Sequence, residues 1–155
     1  MTNYKTICAQ LRALAAEEKW FLPLLSNASA LLWETLPDLN WAGFYLARGG
    51  QLVLGPFQGK TACIHIPAGR GVCGTAMAED RTVLVPNVHE FPGHIACDSA
   101  SNSEIVVPIH AEGRVVGVLD IDSPLLNRFS EAVREGLEAF AKIIEETADF
   151  DTQRR

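Results

Sequence analysis

Three of the four cysteines of this chain, Cys63, Cys73 and Cys97, occur in three different kinds of local sequence pattern. Cys63 belongs to an alternating apolar run, Cys73 follows two glycines at a predicted helix start, and Cys97 lies in a run without periodicity. We therefore expect the fold, rather than local spacing, to bring these thiols together. The first turn of a helix exposes N–H groups that stabilise a thiolate, so we expect Cys73 to have a lowered pKa.

Three acidic residues in the second half of the chain form another candidate site. Side chains alternate along a strand, so Asp120 and Asp122 are predicted to share one face with Val116. Counted from the predicted turn between the last two strands, Glu104 lies near the level of both aspartates. Three converging carboxylates need a cationic partner, which can be an ammonium group, an arginine or a metal ion. The alternative is that the strand simply emerges into solvent at this point.

Aromatic residues and histidines add further candidates. Trp41 and Tyr45 share one face of a predicted strand and can wall a small apolar pocket, although aromatic residues at this spacing are also common in a plain core. His65 shares a predicted strand face with Cys63, and His94 precedes the last of the three thiols, so either histidine is a possible metal ligand. The sequence has no C-x-x-C pair, which makes a structural zinc site the minor alternative.

Composition and charge narrow the functional classes. The 155 residues, 48% hydrophobic and 21% charged, are typical of one globular domain, which we expect to span residues 1–155. The net charge of −6 and the lack of a basic cluster argue against binding to nucleic acid or to an anionic membrane. No apolar run reaches the roughly 18 residues of a membrane span, and no secretory signal is recognised. We therefore expect a cytoplasmic location, where cysteines serve catalytic, redox or metal-binding roles more often than structural disulfides.

Helices and hairpins are predicted to position these candidate residues. Helices are predicted at 3–16, 19–36 and 72–79, with a final one capped by Ser130, and strands at 40–47, 51–57, 61–66, 81–86, 104–110 and 114–122. The long irregular segment 87–102 is predicted to be a site loop, because compact domains seldom keep such a connection without a use for it. The fold class is therefore predicted to be α+β, with a mostly antiparallel central sheet flanked by N- and C-terminal helices.

Four segments carry a resemblance to a known family. They are N-W-A-G-F-Y-L, A-C-I-H-I-P-A-G-R-G-V-C-G-T-A, H-I-A-C-D-S-A-S-N-S-E-I-V-V-P-I and G-V-L-D-I-D-S-P. From about residue 40 to 129 the chain resembles the free methionine-(R)-sulfoxide reductases, which are small members of the GAF fold. Most GAF domains lack the three cysteines. The resemblance implies a GAF-like fold and an enzyme that reduces free L-methionine-(R)-sulfoxide, with no metal or organic cofactor.

The resemblance also implies a role for each thiol. Cys97 matches the catalytic cysteine, which attacks the substrate sulfur, releases methionine and becomes a sulfenic acid. Cys73 matches the main resolving cysteine, which would form a disulfide with Cys97. Cys63 matches a third cysteine that assists recycling. Thioredoxin or a similar protein would then reduce the disulfide.

The remaining implied roles concern substrate binding and assembly. The positions that match the family's substrate-binding residues are Glu104, Asp120, Asp122, Trp41 and Tyr45. The acids suit the free α-ammonium group, and one of them can supply the proton that the sulfoxide oxygen needs. The aromatic pair would wall the methyl group, and the long loop would close over the ligand. Family members form homodimers, which we expect here as well.

Two other functions stay open at the level of the sequence. One is a non-catalytic GAF module that binds a small molecule as a sensor, although a sensor pocket does not require three thiols. The other is a small zinc-binding protein that uses Cys63, Cys73, Cys97 and a histidine.

Overall fold

The computed structural model describes residues 2–95 and 97–151, which form four α-helices and six strands. The elements are α1 (Tyr4–Glu17), α2 (Phe21–Thr35), β1 (Trp41–Arg48), β2 (Gln51–Gly59), β3 (His65–Pro67), α3 (Gly71–Glu79), β4 (Val83–Val85), β5 (Ser103–Ala111), β6 (Arg114–Ser123) and α4 (Glu131–Thr147). The predicted order of elements is confirmed. The predicted strand 61–66 is wrong, because β3 begins at His65 and leaves Cys63 in irregular chain.

The six strands form one antiparallel sheet in the order β3-β2-β1-β6-β5-β4. Each hairpin joins strands that are neighbours in the sheet, and β6 closes the arrangement by pairing with β1 as well as β5. The predicted α+β class with an antiparallel sheet and terminal helices is therefore confirmed. The central strand β6 is the element that carries both aspartates of the candidate site.

The two faces of the sheet build two separate apolar clusters. The helices α1, α2 and α4 cover one face, where Phe44 and Leu119 pack with Phe140. The opposite face carries α3, and there Trp41 and Tyr45 pack in the second cluster. This division into two clusters follows the predicted alternation along β1. Each fully buried large side chain in them stabilises the fold by about 1.5–3 kcal/mol. Within the described ranges, none of the helices is both long and apolar enough to cross a membrane.

An irregularity in the β5–β6 pairing corrects one expectation about β6. The register shifts between Ile109 and His110, as a β-bulge produces, and a bulge changes the face that the following residues take. Val116 therefore packs in the helix-side cluster rather than on the face of the aspartates. Val118 and Asp120 lie beyond the shift and keep the face that the alternation predicts.

Candidate active site

A disulfide bond joins two of the three candidate thiols. It links Cys63 to Cys97, whose Cα atoms are 5.6 Å apart. The resemblance implied Cys73 as the main partner of Cys97, but Cys73 is a free thiol in this structure. The Tyr45 hydroxyl donates a hydrogen bond of 3.0 Å to the backbone carbonyl of Cys63. An aromatic residue on the sheet thus holds the backbone beside the disulfide.

Cys73 lies in the first turn of α3, buried beside carboxylates. Its Sγ is 3.9 Å from Oε2 of Glu104. Burial raises the pKa of the Cys73 thiol well above its ordinary value, and the negative charges of Asp120 and Glu104 raise it further. The expected lowering of this pKa by the helix N-terminus is therefore wrong, because desolvation and two neighbouring acids outweigh the backbone N–H groups.

Close backbone packing at two glycines places Cys73 against the sheet. Gly71 opens α3 with φ of +63°, a conformation that side chains disfavour. A Cβ on Gly74 would lie 2.4 Å from the Pro67 carbonyl oxygen, so only glycine fits there. The preceding loop folds back to this point, where the N–H of Gly69 donates to the carbonyl of Gly74 at 2.8 Å. The packing of this turn thus explains the glycines at positions 71 and 74.

The three predicted acids converge on the face of the sheet that carries α3. The register places Glu104 directly opposite Asp122 on the neighbouring strand. Asp120 lies two residues before Asp122 on the same strand and therefore points to the same side. The convergence predicted by counting from the turn is confirmed, because the bulge lies outside this stretch of the pairing.

Burial dominates the electrostatics of the acid cluster. It raises the pKa of Glu104 and of Asp122 well above their ordinary values, and the charge of Asp120 raises both further. Burial also raises the pKa of Asp120. Asp120 and Asp122 each keep a buried Oδ1 atom without a hydrogen-bond partner among the described residues. A cation at this point would supply the missing partner and offset the clustered charge.

Stacked aromatic rings form the apolar side of the site. The Trp41 and Tyr45 rings stack with centroids 5.7 Å apart, and Phe57 from β2 stacks on Trp41 at 5.0 Å. The indole N–H of Trp41 donates to the carbonyl of Lys60 at 3.2 Å, which fixes the ring plane. Phe57 was not singled out in the sequence, because its contact with Trp41 depends on the β1–β2 register.

One pocket joins the acids, the aromatic pair and two of the thiols. Its volume is about 40 Å³. Every predicted site residue except Cys63 lines it, and Cys63 is bonded to Cys97 at its edge. The other lining residues are Thr61, Ala62, Ile66, Arg70, Gly71, Val72, His94, Ile95, Asp98 and Ser101. The pocket thus combines one sulfur of the disulfide, the free thiol of Cys73, a carboxylate cluster and an apolar wall.

The predicted metal pair of His65 and Cys63 is not formed. His65 is exposed at the start of β3, and Cys63 is bonded to Cys97. The disulfide also rules out, for this state of the chain, a zinc site that uses all three thiols. His94 does line the pocket, and burial lowers its pKa, so the neutral imidazole is favoured there.

A hydrogen-bonded latch, made of Asn40, Asp98, Ser101 and Asp122, ties the Cys97 loop to the sheet. The Asn40 side-chain amide donates to Asp98 Oδ2 and to Ser101 Oγ, both at 2.9 Å. Ser101 in turn donates to Asp122 Oδ2 at 3.1 Å. The N–H of Ala100 and the Asn40 amide lower the pKa of Asp98, so it stays ionised in the latch. Sequence reasoning predicted Asp122 but missed Asn40, Asp98 and Ser101, and the unusual length of the loop was the one signal that pointed to the latter two.

Comparison with known proteins identifies close relatives of this chain. A family model described as the GAF domain matches residues 6–147. An Escherichia coli protein named free methionine-R-sulfoxide reductase is 52% identical over 150 residues, which is 95% of this chain and 91% of the relative. A solved Staphylococcus aureus structure, described as fRMsr in its reduced form, matches with a TM-score of 0.93 and 52% identity, over 96% of this chain and 97% of the other.

A third relative was solved with its substrate bound. The Neisseria meningitidis structure, described as free methionine-R-sulfoxide reductase in complex with its substrate, has a TM-score of 0.92 and 44% identity. The match covers 98% of this chain and 92% of the other. Both the sequence and the backbone of this chain are thus similar to these enzymes over nearly their whole length.

Proposed function

The chain belongs to the GAF-domain family of free methionine-R-sulfoxide reductases, and we propose that its pocket reduces free L-methionine-(R)-sulfoxide at Cys97. The chain is therefore an oxidoreductase. The observation that carries the assignment of residues is that one pocket joins a disulfide-forming cysteine to the buried acids Glu104 and Asp120, the half-buried Asp122 and an aromatic wall.

The acid cluster provides the means to select a free amino acid. Glu104, Asp120 and Asp122 supply buried negative charge and two unpartnered carboxylate oxygens, which an α-ammonium group can satisfy. A methionine sulfoxide within a peptide has no such group and would leave these oxygens unpaired, at a cost of about 1–3 kcal/mol each. Trp41 and Tyr45 supply the apolar surface against which the methyl group packs.

The proposed chemistry is oxygen transfer followed by disulfide formation. The Cys97 thiol attacks the sulfoxide sulfur, and a protonated acid of the cluster hydrogen-bonds to the sulfoxide oxygen and protonates it. Methionine leaves, and the oxygen remains on Cys97 as a sulfenic acid. A second thiol then displaces this oxygen as water and forms a disulfide. Burial and the charge of Asp120 raise the pKa of Glu104 and of Asp122, which favours the protonated form of these carboxyl groups.

The second thiol is assigned from the geometry of the disulfide. The bond between Cys63 and Cys97 supports Cys63 as the residue that displaces the oxygen. Cys73, which the resemblance implied for this role, is buried in the pocket floor, and its raised pKa disfavours the thiolate that such a displacement needs. We assign Cys73 to the wall of the substrate pocket, with disulfide exchange as its secondary role.

Recycling requires a dithiol reductant such as thioredoxin. The reductant attacks the Cys63–Cys97 disulfide, and both cysteines keep part of their surface exposed in this structure. We place the enzyme in the cytoplasm, where such reductants operate, and we propose that it forms a homodimer. Light scattering after size exclusion would give a particle of twice the chain mass for the dimer and of one chain mass for a monomer.

Substrate entry requires the Cys97 loop to open. The pocket volume of about 40 Å³ holds a few water molecules and is too small for an amino acid. Opening the loop requires the hydrogen bonds of the latch and the Cys63–Cys97 disulfide to break. We therefore propose that the disulfide state excludes substrate and that reduction restores binding.

Turnover with separated epimers tests the function. Purified protein, thioredoxin, thioredoxin reductase and NADPH are mixed with free L-methionine-(R)-sulfoxide, and NADPH loss is followed. We expect steady turnover with the (R) epimer, none with the (S) epimer, and none with an N-acetylated substrate that lacks the ammonium group. Equal rates with both epimers would overturn the assignment, as would unchanged rates after acetylation.

A further inference from the structure

Three side chains in the pocket floor group together as possible ligands of a metal ion, which the proposed redox chemistry does not require. Cys73 Sγ and a carboxylate oxygen from each of Glu104 and Asp120 all lie within 4.8 Å of one another. All three side chains are buried, with Glu104 only 7% and Asp120 only 5% exposed. Thiolate and carboxylate are ligand types that zinc binds, and three such ligands leave one position of a tetrahedral centre open.

The surroundings of these three groups lack the positive charge that would offset two carboxylates and a thiolate. The Oδ1 atom of Asp120 is buried and has no hydrogen-bond partner among the described residues. The negative charge of Asp122 adds to the repulsion within the cluster. Among the described residues, Arg70 is the one arginine or lysine that lines the pocket, and it is exposed at the rim. A dication would offset two charges and fill the unmet coordination of Asp120. A monovalent ammonium offsets only one charge.

We propose that Cys73, Glu104 and Asp120 bind a thiophilic divalent cation, of which zinc is the best match, and that this ion occupies the floor of the pocket. The sulfur ligand selects zinc or cobalt over magnesium and calcium, which prefer oxygen ligands only. The site goes beyond the proposed reductase activity, because that activity needs no metal ion, although Glu104 and Asp120 also bind the substrate in it. Bound zinc would exclude an α-ammonium group from the same acids, so the ion acts as an inhibitor.

The disulfide gives this site a property that distinguishes it from ordinary zinc binding by exposed thiols. Cys63 and Cys97 are tied to each other in the oxidised chain, whereas Cys73 stays free. The site therefore persists in the oxidised protein, where the pocket admits an ion but not an amino acid. Metal binding must displace protons from Cys73 and Glu104, so the affinity rises with pH.

Cobalt(II) chloride is the probe for the test, because a sulfur-to-cobalt charge-transfer band reports coordination through a thiolate. The full chain is first oxidised, and mass spectrometry after unfolding and alkylation confirms that Cys8 and Cys73 are the two remaining thiols. We expect the band in the wild type at a stoichiometry of one, with displacement by zinc. The substitutions C73S and C73A should abolish it, and E104Q should weaken cobalt and zinc binding at least about tenfold.

The matched control is Cys8→Ser, because Cys8 is the other free cysteine and lies on α1, away from the pocket. It should leave the band unchanged, and near-UV circular dichroism verifies the fold of every variant. A wild-type oxidised protein without the band would overturn the proposal, as would a band that persists in both Cys73 variants. The measurement uses the metal alone and no substrate, so failure to bind cobalt leaves the reductase proposal standing. Failure to turn over methionine sulfoxide likewise leaves the metal-site proposal standing.

Discussion

At the scale of single residues, the two candidate partners of Cys97 differ most in what surrounds them. Cys63 lies in irregular chain, retains some exposed surface and is bonded to Cys97. Cys73 is buried among carboxylates that raise its pKa. A thiol attacks as its thiolate, so the buried thiol is the slower nucleophile. The same residue type thus has opposite reactivity at two positions because of burial and neighbouring charge.

This contrast predicts different effects for two conservative substitutions. Cys63→Ser should still release one equivalent of methionine but should slow steady turnover with thioredoxin at least tenfold. Cys73→Ser should retain more of its steady rate, and Cys8→Ser should match the wild type. Rapid quench of the first turnover, compared with steady-state NADPH oxidation, separates the two steps. If Cys73→Ser is instead the variant that fails to recycle, Cys73 is the resolving cysteine and the Cys63–Cys97 bond lies outside the main cycle.

The raised pKa of Glu104 predicts that ionisation of this buried carboxyl lowers the free energy of unfolding as pH rises. A carboxyl whose folded pKa lies above its unfolded value stabilises the fold fully below the unfolded pKa, and this stability is lost as pH rises through the folded pKa. Glu104→Gln cannot ionise, so it should gain about 1–2 kcal/mol of unfolding free energy over the wild type near pH 8 while losing activity. The gain should vanish near pH 4. Urea titrations at both pH values measure it, and a Glu104→Gln protein that is less stable at pH 8 would contradict the burial argument.

At the scale of elements, the latch decides where the Cys97 loop rests. Asn40 lies just before β1 and contacts the loop at two points, Asp98 and Ser101. Its backbone N–H also extends the sheet by donating to the carbonyl of Asp122 at 3.0 Å. One residue therefore links the start of β1 to the loop that carries Cys97.

Replacing the Asn40 side chain should loosen the loop without removing any reacting group. Asn40→Ala keeps the backbone bond to Asp122 but loses both side-chain bonds, so we expect kcat to fall about 30-fold, since each lost bond costs roughly 1 kcal/mol in the closed state. The KM should change less, because the acids and the aromatic pair are untouched. Steady-state kinetics separate the effect on kcat from the effect on KM, and Asn27→Ala on the exposed face of α2 is the control. A variant with unchanged kcat would show that the latch does not position Cys97.

The elements show where sequence reasoning succeeds and where it stops. Alternation places Trp41 and Tyr45 on one face correctly, because a period of two holds along an uninterrupted strand. It misplaces Val116, because a bulge depends on the pairing of two strands and leaves no mark on one of them alone. The Cys63–Cys97 bond and the latch connect residues 21 to 61 positions apart in the chain, and such contacts follow from the folded loop rather than from local spacing.

At the scale of the whole molecule, His110 connects layers on opposite faces of the sheet. It lies near the end of β5, and its ring nitrogens are 2.6 Å from Asp80 at the end of α3 and 2.5 Å from Glu145 on α4. Burial alone would lower the pKa of His110, but the two carboxylates outweigh it and raise the pKa. Both ring nitrogens must donate to satisfy both carboxylates, so the bridge requires the imidazolium.

The bridge predicts a second, separate pH dependence of stability. The stability from a raised histidine pKa is fully present below the unfolded pKa, and it is lost as pH rises through the folded pKa. His110→Asn should therefore lower the melting temperature at pH 6 and have little effect at pH 9. Thermal unfolding at both pH values gives the comparison, and His65→Asn, at an exposed position, is the control. An equal loss at both pH values would indicate a packing defect rather than a charged bridge.

The central place of β6 has a consequence for how the two halves of the site fluctuate. Its backbone is bonded to β1 on one side and to β5 on the other, so the amides around Asp120 exchange with deuterium only when the sheet itself opens. The loop around Cys97 is tied down by side chains and one disulfide, so once that bond is reduced its amides exchange through local opening. We therefore expect slow amide exchange around the acids on β6 and fast amide exchange in the Cys97 loop of the reduced protein. Reduction should mobilise the loop without disturbing the sheet.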